Sequence, residues 1–268
     1  MKNEKNLQYD LTLPAVYVAT HAQAVEQPGD FEIPIQTGAA LSDTALCVVR
    51  DNTADHISDR NHTFCELTAL YWIWKNDHHA VKGLSHYRRR FLTSADQIRD
   101  ALSTHDIILP PPYYFRCSLL NEYADFHILS DLDLVTAIAE SVTPGIHSAL
   151  HKVLDSNRLF PYNMWIAPEH IWNDYCEWLF QILFLTEEKL DLTGRTSYQQ
   201  RVFGFLSERL FNAYMIHKNL TYAICPVRIP ETQTLLKRTK YICGIHANQL
   251  IFNWTKNHQE RYFDEKKS

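Results

Sequence analysis

Two kinds of hydrophobic pattern alternate along the chain, short apolar runs and longer segments with helical spacing. The short runs lie at 15–21, 80–86, 106–110 and 162–167, and are typical of buried strands. From residue 61, apolar side chains recur at the interval that gives a helix one buried face. Strands that alternate with helices predict an α/β fold, a single domain whose mostly parallel sheet is flanked by helices.

Capping and turn residues set the expected limits of other elements. Ser94 is expected to cap one helix, and Ser130 is expected to open another. Pro168 suits the first turn of a long apolar helix, and a further helix is predicted over 197–217. The segment 31–41 contains proline and glycine and is predicted to be a loop.

The character of the chain changes near residue 231, where a basic, charged stretch begins. We therefore expect a domain over 1–230 and a C-terminal extension over 231–268 that docks to a partner or to a membrane surface. The N-terminus lacks the apolar core of a signal peptide, and the apolar stretch 178–185 is too short to span a bilayer. A cytoplasmic protein, with peripheral contact at the inner face of the membrane, is the expectation.

Composition narrows the classes of function. The formal net charge of −5 argues against a general nucleic-acid binder, whose affinity rests on neutralising phosphates. The six cysteines have no CxxC spacing, so neither a zinc site nor a disulfide framework is indicated. Dinucleotide-binding, P-loop and serine-hydrolase motifs are absent from the sequence.

The stretch "KGLSHYRRRF" at 82–91 places three arginines where a strand is predicted to end. Ligands of open α/β sheets bind at the carboxyl ends of strands, and arginine offers phosphate a planar, permanently charged donor pair. We favour Arg88 with His86 as anion ligands, and expect Arg89 or Arg90 to pair with an acid. His86 has three roles open to it: donating to phosphate, binding a metal or holding a loop.

The acidic pair Asp131 and Asp133 has the form of a DxD metal motif. The pair also follows the expected helix start at Ser130, where carboxylates are favourable because the helix dipole is positive. We favour this structural explanation and expect no metal, with a manganese or magnesium site on these aspartates as the alternative.

Four ordered segments carry a resemblance to a known family. They are "RDNTADHISDRNHTFCELTALYWIWKN", "GLSHYRRRF", "YNMWIAPEHIWNDYCEWLFQIL" and "RVFGFLSERLFNAYM". The chain over about 13–229 resembles the bacterial family catalogued as domain of unknown function 4422, which is common in capsule, exopolysaccharide and O-antigen gene clusters. The resemblance implies a nucleotide-sugar glycosyltransferase with a GT-A-like, Rossmann-like fold.

The resemblance also implies where the nucleotide sugar binds. The end of the first strand and the loop after it would receive the nucleotide, and the basic cluster would take the place of the usual DxD motif. The residues implied are Thr20, His21, Gln36, Gly38, Asp51, Asn52, Ser58, Asn61, Glu66, Tyr87 and Arg89. Ser58 and Asn61 are equally suited to capping a helix, and Glu66 is either a buried structural acid or a partner of the arginines.

The acceptor side requires a carboxylate that activates or orients a hydroxyl. Glu208 is the candidate, and its alternative role is a salt bridge on a helix surface. Asn163 and Arg201 are candidate ligands of the acceptor or sugar, and Trp165 is a candidate platform for a sugar ring.

The function implied is transfer from a UDP-sugar, with UDP-galactofuranose as the first specific donor, to a lipid-linked saccharide acceptor in surface-polysaccharide assembly. Glu208, Arg88 and His86 would be the catalytic residues, without a cofactor and without nucleic acid as a partner. The alternative is a non-catalytic subunit of the same pathway that binds a sugar nucleotide or a polysaccharide.

Overall fold

The computed structural model of this protein describes residues 12–228, 239 and 243–256. Its strands are β1 (Ala15–Thr20), β2 (Glu32–Gln36), β3 (Val49–Arg50), β4 (Val81–His86), β5 (Arg90–Phe91), β6 (Ile107–Leu109), β7 (Tyr113–Tyr114), β8 (Arg158–Leu159), β9 (Trp165–Pro168), β10 (Tyr222–Ile224) and β11 (Val227–Arg228). Its α-helices are α1 (Asn61–Phe64), α2 (Leu67–Asn76), α3 (Ala95–Leu102), α4 (Leu119–Phe126), α5 (Leu129–Val142), α6 (Ile146–Leu154), α7 (Glu169–Glu187), α8 (Ser197–Gln200), α9 (Val202–His217) and α10 (243–256).

The central sheet has seven strands in the order β10-β6-β9-β4-β1-β2-β3. Its pairs are parallel except those of β9, which runs antiparallel to both β4 and β6. The predicted α/β architecture with a mostly parallel sheet is confirmed. The direction of β9 matters for function, because it brings the chain segment before β9 to the edge where β1 and β4 end.

Helices cover both faces of the sheet. Val16 of β1 packs with Ile166 of β9 on one face, whereas Tyr17 and Trp165 belong to the larger core on the other. Side chains alternate across a strand, so two covered faces bury every residue of β1. The continuous apolar run predicted this position in the interior of the sheet.

Two predicted elements differ from the structure. The expected loop at 31–41 contains β2, which pairs with β1. Pro34 is tolerated because β3 pairs only with the two residues after it, so Pro34 has a sheet neighbour on one side. The helix expected from residue 61 is broken at Cys65, whose φ of 54° and ψ of −132° are incompatible with a helix.

One of the two predicted helix starts agrees with the structure and the other does not. Ser94 caps α3, as predicted, and it also closes a capping box with Gln97. The helix expected to open at Ser130 instead has Ile128 as its N-cap, without a side-chain cap, and Asp131 lies in its first turn.

The C-terminal part of the chain joins the domain at two places. β11 pairs with β5 in a small antiparallel sheet, so the domain extends at least to Arg228. Helix α10 is held by Asn248, which accepts a hydrogen bond from Arg116 Nε at 3.0 Å and donates one to the Tyr114 carbonyl at 2.9 Å. The boundary at 230 stays a prediction. The basic residues Lys237, Arg238 and Lys240 lie outside the described residues.

Candidate functional site

A cavity of about 800 Å³ opens at the edge of the sheet where β1 and β4 end and β9 begins. The register explains this meeting point, since Leu84 pairs with Trp165 and the chain after Leu84 therefore faces the chain before Trp165. This edge is where open α/β sheets bind ligands. Helices α1, α4, α8 and α9 and the segment around β7 contribute the other walls.

One half of the cavity is cationic. His21, His86, Arg88 and Arg201 line it, and their mutual influence is visible at His21. The pKa of His21 is lowered by burial and then by the positive charges of Arg201, His86 and Arg88, and the negative charge of Glu66 opposes them. Among the described residues no acid forms an ion pair with Arg88 or Arg201. Two arginines without ion-paired acids favour an anionic ligand.

The three adjacent arginines have different surroundings. Arg88 is exposed in the cavity and lies beside the Tyr87 ring. Arg89 stacks over the Tyr162 ring at 4.2 Å, and its buried Nε has no hydrogen-bond partner. Arg90 forms an ion pair with Glu32 and belongs to the structure of the domain. The prediction that one of the later arginines pairs with an acid is confirmed for Arg90.

His86 is oriented by the backbone. Its Nε2 lies 2.8 Å from the carbonyl oxygen of Tyr162. A carbonyl accepts only, so Nε2 carries the proton and donates it, which leaves Nδ1 for another partner. His86 thereby holds the turn before β9 while it lines the cavity.

Glu208 lies on α9 at the boundary of the cationic half. Its carboxylate accepts a hydrogen bond from the Tyr162 N–H at 2.6 Å and one from Arg209 at 3.1 Å. Burial raises the pKa of Glu208 to about 7, with Glu66 and Glu122 adding to the rise and Arg209 and the Tyr162 N–H opposing it. A carboxylate with this pKa is matched to accepting a proton near neutral pH.

Arg209 is fixed next to Glu208. Its guanidinium also binds Glu122 of α4 at 2.5 Å, and its side chain is almost fully buried. The salt bridge predicted as the alternative for Glu208 is therefore present, but within the cavity wall rather than on a surface.

Asn163 and Trp165 have structural roles in this molecule, which corrects their assignment as sugar ligands. Asn163 is buried; its amide donates to Glu66 at 2.7 Å, and its carbonyl accepts from Ser207 at 3.1 Å. Trp165 is 1% exposed and stacks on Trp172 in the core, so its ring is inaccessible to a sugar. Glu66 itself lines the cavity.

Several of the residues expected to bind the nucleotide after β1 also have structural roles. Asp51 is fully buried, where it accepts hydrogen bonds from the Gly38 and Ala39 N–H groups and from Ser58 at 2.5 Å. This triad holds the tight turn at Gly38, whose φ is 62°. Asp51, Gly38 and Ser58 are thus positioning residues of the loop, which corrects their assignment to direct contact.

Other residues of this group also form hydrogen bonds that hold the loop segments in place. The buried side chain of Gln36 bonds to the backbone of Thr44 and Leu46, and the Thr20 hydroxyl donates to the Gln23 carbonyl. Their assignment as nucleotide ligands is corrected accordingly. Asn52 is half-buried outside the cavity wall, whereas Asn61 lines the cavity and donates to the Cys65 carbonyl.

The acidic pair on α5 is separate from the cavity. Asp131 is buried and both of its oxygens bind Arg195, at 2.5 and 2.9 Å, whereas Asp133 is exposed. Across the described part of the chain, no group of three or more histidine, cysteine, aspartate or glutamate side chains is arranged to hold a metal ion.

The second half of the cavity is aromatic, and the sequence interpretation missed it. Tyr113 and Phe115 pack edge to face at 4.7 Å, and the rings of His127, Tyr198 and Phe205 all contact one another. Burial, followed by the charge of Arg209, lowers the pKa of His127 to about 4, so this ring is neutral at neutral pH. The residues come from four separate segments, so only the alternation in "PYYFR" hinted at one part of the wall.

Within the described residues, no helix is both long enough and apolar enough to span a bilayer.

Comparisons with known proteins give one family match and one structural match. Residues 15–219 match the family model described as a domain of unknown function (DUF4422). The apo structure of the WbbM bifunctional glycosyltransferase is similar to this chain, with 24% sequence identity and a TM-score of 0.75. The match covers 82% of this chain and 46% of that protein, so this chain spans about half of its length. No curated protein matches the chain.

Proposed function

This chain belongs to the family described as a domain of unknown function (DUF4422), and we propose that it is a glycosyltransferase. The observation that carries the proposal is the divided cavity, cationic on one side and aromatic on the other, with Glu208 at the boundary. The fold shared with part of the WbbM bifunctional glycosyltransferase supports the same class of activity.

The cationic half is proposed to bind the diphosphate of a nucleotide sugar. Arg88 and Arg201 present guanidinium groups to it, and the imidazolium form of His86, whose Nε2–H is held by the Tyr162 carbonyl, presents an Nδ1–H donor. When the bond between the sugar anomeric carbon and the diphosphate breaks, the departing oxygen gains negative charge. Fixed cations stabilise this charge more in the transition state than in the ground state, which is what accelerates the step.

The aromatic half is proposed to bind the acceptor. Sugar rings present C–H groups on one face, and aromatic rings such as Tyr198 and Phe205 offer a matching apolar surface. An acceptor hydroxyl held there would lie next to Glu208. In the transfer step the hydroxyl oxygen bonds to the anomeric carbon, and its proton passes to the Glu208 carboxylate.

The finer assignment is proposed from the resemblance to capsule and O-antigen enzymes. The donor is a UDP-sugar, with UDP-galactofuranose first, and the acceptor is a saccharide on a lipid carrier at the cytoplasmic face of the membrane. The pathway is assembly of a bacterial surface polysaccharide.

The test is release of UDP by the purified protein. UDP-galactofuranose, UDP-galactopyranose and UDP-glucose are each incubated with a panel of octyl glycosides, and UDP release is compared with and without acceptor. We expect acceptor-dependent release with one donor, and a rise in melting temperature with UDP alone. Stabilisation by UDP without any acceptor-dependent release would indicate a non-catalytic binding subunit. Absence of both would contradict the proposal.

A further inference from the structure

Helix α10 is attached to the domain through the side chain of Asn248. Asn248 bonds to Tyr114, which belongs to β7, and to Arg116, which follows β7. Ile245, Asn248 and Phe252 are half-buried and recur at three- and four-residue intervals, so they mark the face that packs on the domain.

The opposite face of α10 is apolar and exposed. Ala247, Leu250, Ile251 and Trp254 follow the i, i+3, i+4, i+7 spacing of a continuous stripe. Leu250 is 70% exposed and Trp254 is 61% exposed. A surface helix ordinarily turns such a stripe toward the core, but here it points outward. We refer to these four residues as the α10 stripe.

We propose that the α10 stripe lies in the interface of an anionic lipid bilayer. Charge supports this occupant over a protein surface. Residues 229–268 contain seven lysines and arginines against four acids, a net charge of +3, whereas the whole chain carries −5. The remaining residues 1–228 therefore carry −8, so the C-terminal stretch that contains the stripe is the one whose net charge favours an anionic surface. Tryptophan in the stripe suits the interfacial region of a bilayer.

The position of α10 connects this contact to the cavity. A second cavity of about 460 Å³ lies between α10, α4 and the segment after β7. Tyr113, Phe115 and Glu122 line both this cavity and the candidate site. Bilayer contact at α10 would hold the aromatic half of the site near the membrane surface. This link between bilayer contact and the cavity rests on the proposed function, because the contact would give a lipid-linked acceptor a short path to the aromatic half.

The experiment is flotation of the full chain with two kinds of vesicle, phosphatidylcholine alone and phosphatidylcholine mixed with phosphatidylglycerol. We expect binding to the anionic vesicles that weakens at high salt. The variant Leu250→Ser/Trp254→Ser should partition at least about tenfold less, since it removes two large apolar side chains from the stripe. The control Leu41→Ser/Val48→Ser removes two exposed apolar side chains elsewhere and should bind as the unmodified protein does.

Tryptophan fluorescence gives a second measurement on the folded protein. Vesicles should shift the emission of the unmodified protein to shorter wavelength, and Trp254→Phe should remove most of that shift. Two results would overturn the proposal: equal vesicle binding by the stripe variant and the control, or no binding by the unmodified protein. A dimer in sedimentation that the stripe variant loses would also overturn it, because the stripe would then be a contact between copies.

The vesicle assay contains neither donor nor acceptor, so its failure leaves the proposed transfer activity standing. Conversely, the stripe variant should turn over a soluble octyl glycoside at the rate of the unmodified protein. Loss of UDP release in both proteins would count against the proposed function and leave the membrane contact intact.

Discussion

Glu208 is the residue at which the two halves of the cavity meet. Its carboxylate is held by the Tyr162 N–H and by Arg209, so it has one orientation. Its side chain is only 15% exposed, and burial raises its pKa to about 7 despite both hydrogen bonds. Orientation and raised basicity together are what a residue that accepts a hydroxyl proton requires.

The first prediction concerns activity. Replacing Glu208 by Gln keeps the size of the side chain and removes the proton acceptor, so turnover should fall by roughly two to four orders of magnitude while UDP affinity stays unchanged. In the unmodified protein, turnover should rise with pH and level off above about 7, because only the ionised carboxylate accepts a proton. Steady-state kinetics over pH 5–9 measure both effects, and normal turnover by the variant would return Glu208 to a structural role.

The same substitution should raise stability at high pH. A carboxyl whose pKa is raised on folding stabilises the folded state while protonated, and this contribution is lost as pH rises toward the folded value. Glu208→Gln should therefore gain roughly 1–3 kcal/mol relative to the unmodified protein above pH 7, and little at pH 4. Denaturant unfolding at the two pH values checks this, and equal differences at both would contradict it.

The third prediction concerns the role of Arg88 in the cationic half of the cavity. Arg88→Ala should lower turnover by the equivalent of about 2–4 kcal/mol, as for a lost oxyanion donor. Arg88→Lys should also be impaired, because lysine cannot reproduce a two-pronged contact with phosphate. Arg99→Lys, at an exposed ion pair on α3, is the matched control and should behave as the unmodified protein does. Full activity in Arg88→Lys would exclude bidentate binding by this residue.

At the scale of elements, the site depends on one turn before β9. Tyr162 and Asn163 both have positive φ, 74° and 51°, which is unfavourable for residues other than glycine. Glu208 from α9, His86 from β4 and Glu66 beside α2 bind this turn through its backbone or side chain. The turn thus links three elements, and each contact offsets part of the backbone strain.

A second cluster joins elements at the opposite end of β1 and β4. Asp77, which ends α2, accepts hydrogen bonds from Tyr17 of β1 at 3.0 Å and from His79 at 2.5 Å. Lys82 of β4 is fully buried and bonds to the Asp77 carbonyl and to Glu169 of α7. Burial acts to raise the pKa of Asp77, but the hydrogen bonds from His79 and Tyr17 and the charge of Lys82 lower it overall.

The fourth prediction concerns this cluster. A carboxyl whose pKa is lowered on folding stabilises the protein above its unfolded pKa of about 4, and this contribution is lost as pH falls from there through the lower folded pKa. Asp77→Asn should thus lower the free energy of unfolding by about 1–3 kcal/mol at pH 7, with no loss of UDP affinity. The difference should shrink in denaturant unfolding below pH 4, and a difference that grows in acid would contradict this account.

At the scale of the whole molecule, charge is placed unevenly. The chain carries a net charge of −5, yet its cavity gathers cations without paired acids on one side. This distribution suits a nucleotide sugar, whose charge resides in its diphosphate.

The fifth prediction follows from that distribution. If side chains stabilise the leaving diphosphate, UDP release should persist in EDTA at close to the rate without chelator. The alternative, a metal held by Asp131 and Asp133, requires inhibition by EDTA, rescue by manganese and loss of activity in Asp133→Asn. Since both Asp131 oxygens already bind Arg195, Asp133→Asn should be near neutral. Manganese-rescued inhibition would contradict the prediction.

Local patterns in the sequence predicted most of the elements and the cationic half of the cavity. The apolar runs predicted β1 and β4 because a strand buried on both faces needs continuous apolar residues. The basic cluster after β4 predicted a ligand because adjacent arginines repel one another unless something anionic is near. Glu208 was predicted from the chemistry that an acceptor hydroxyl requires, and the structure places it in the cavity wall.

Only the tertiary structure decided which polar residues face the cavity. Asp51 and Asn163 are polar residues near the site in sequence, yet folding buries both in hydrogen bonds that position the loop and the turn. The aromatic half assembles from distant segments, and no local pattern encodes such a contact. Trp165 and Tyr198 look alike as sugar platforms, but packing buries the first and exposes the second. Burial depends on what covers a side chain, and that is a property of the whole fold.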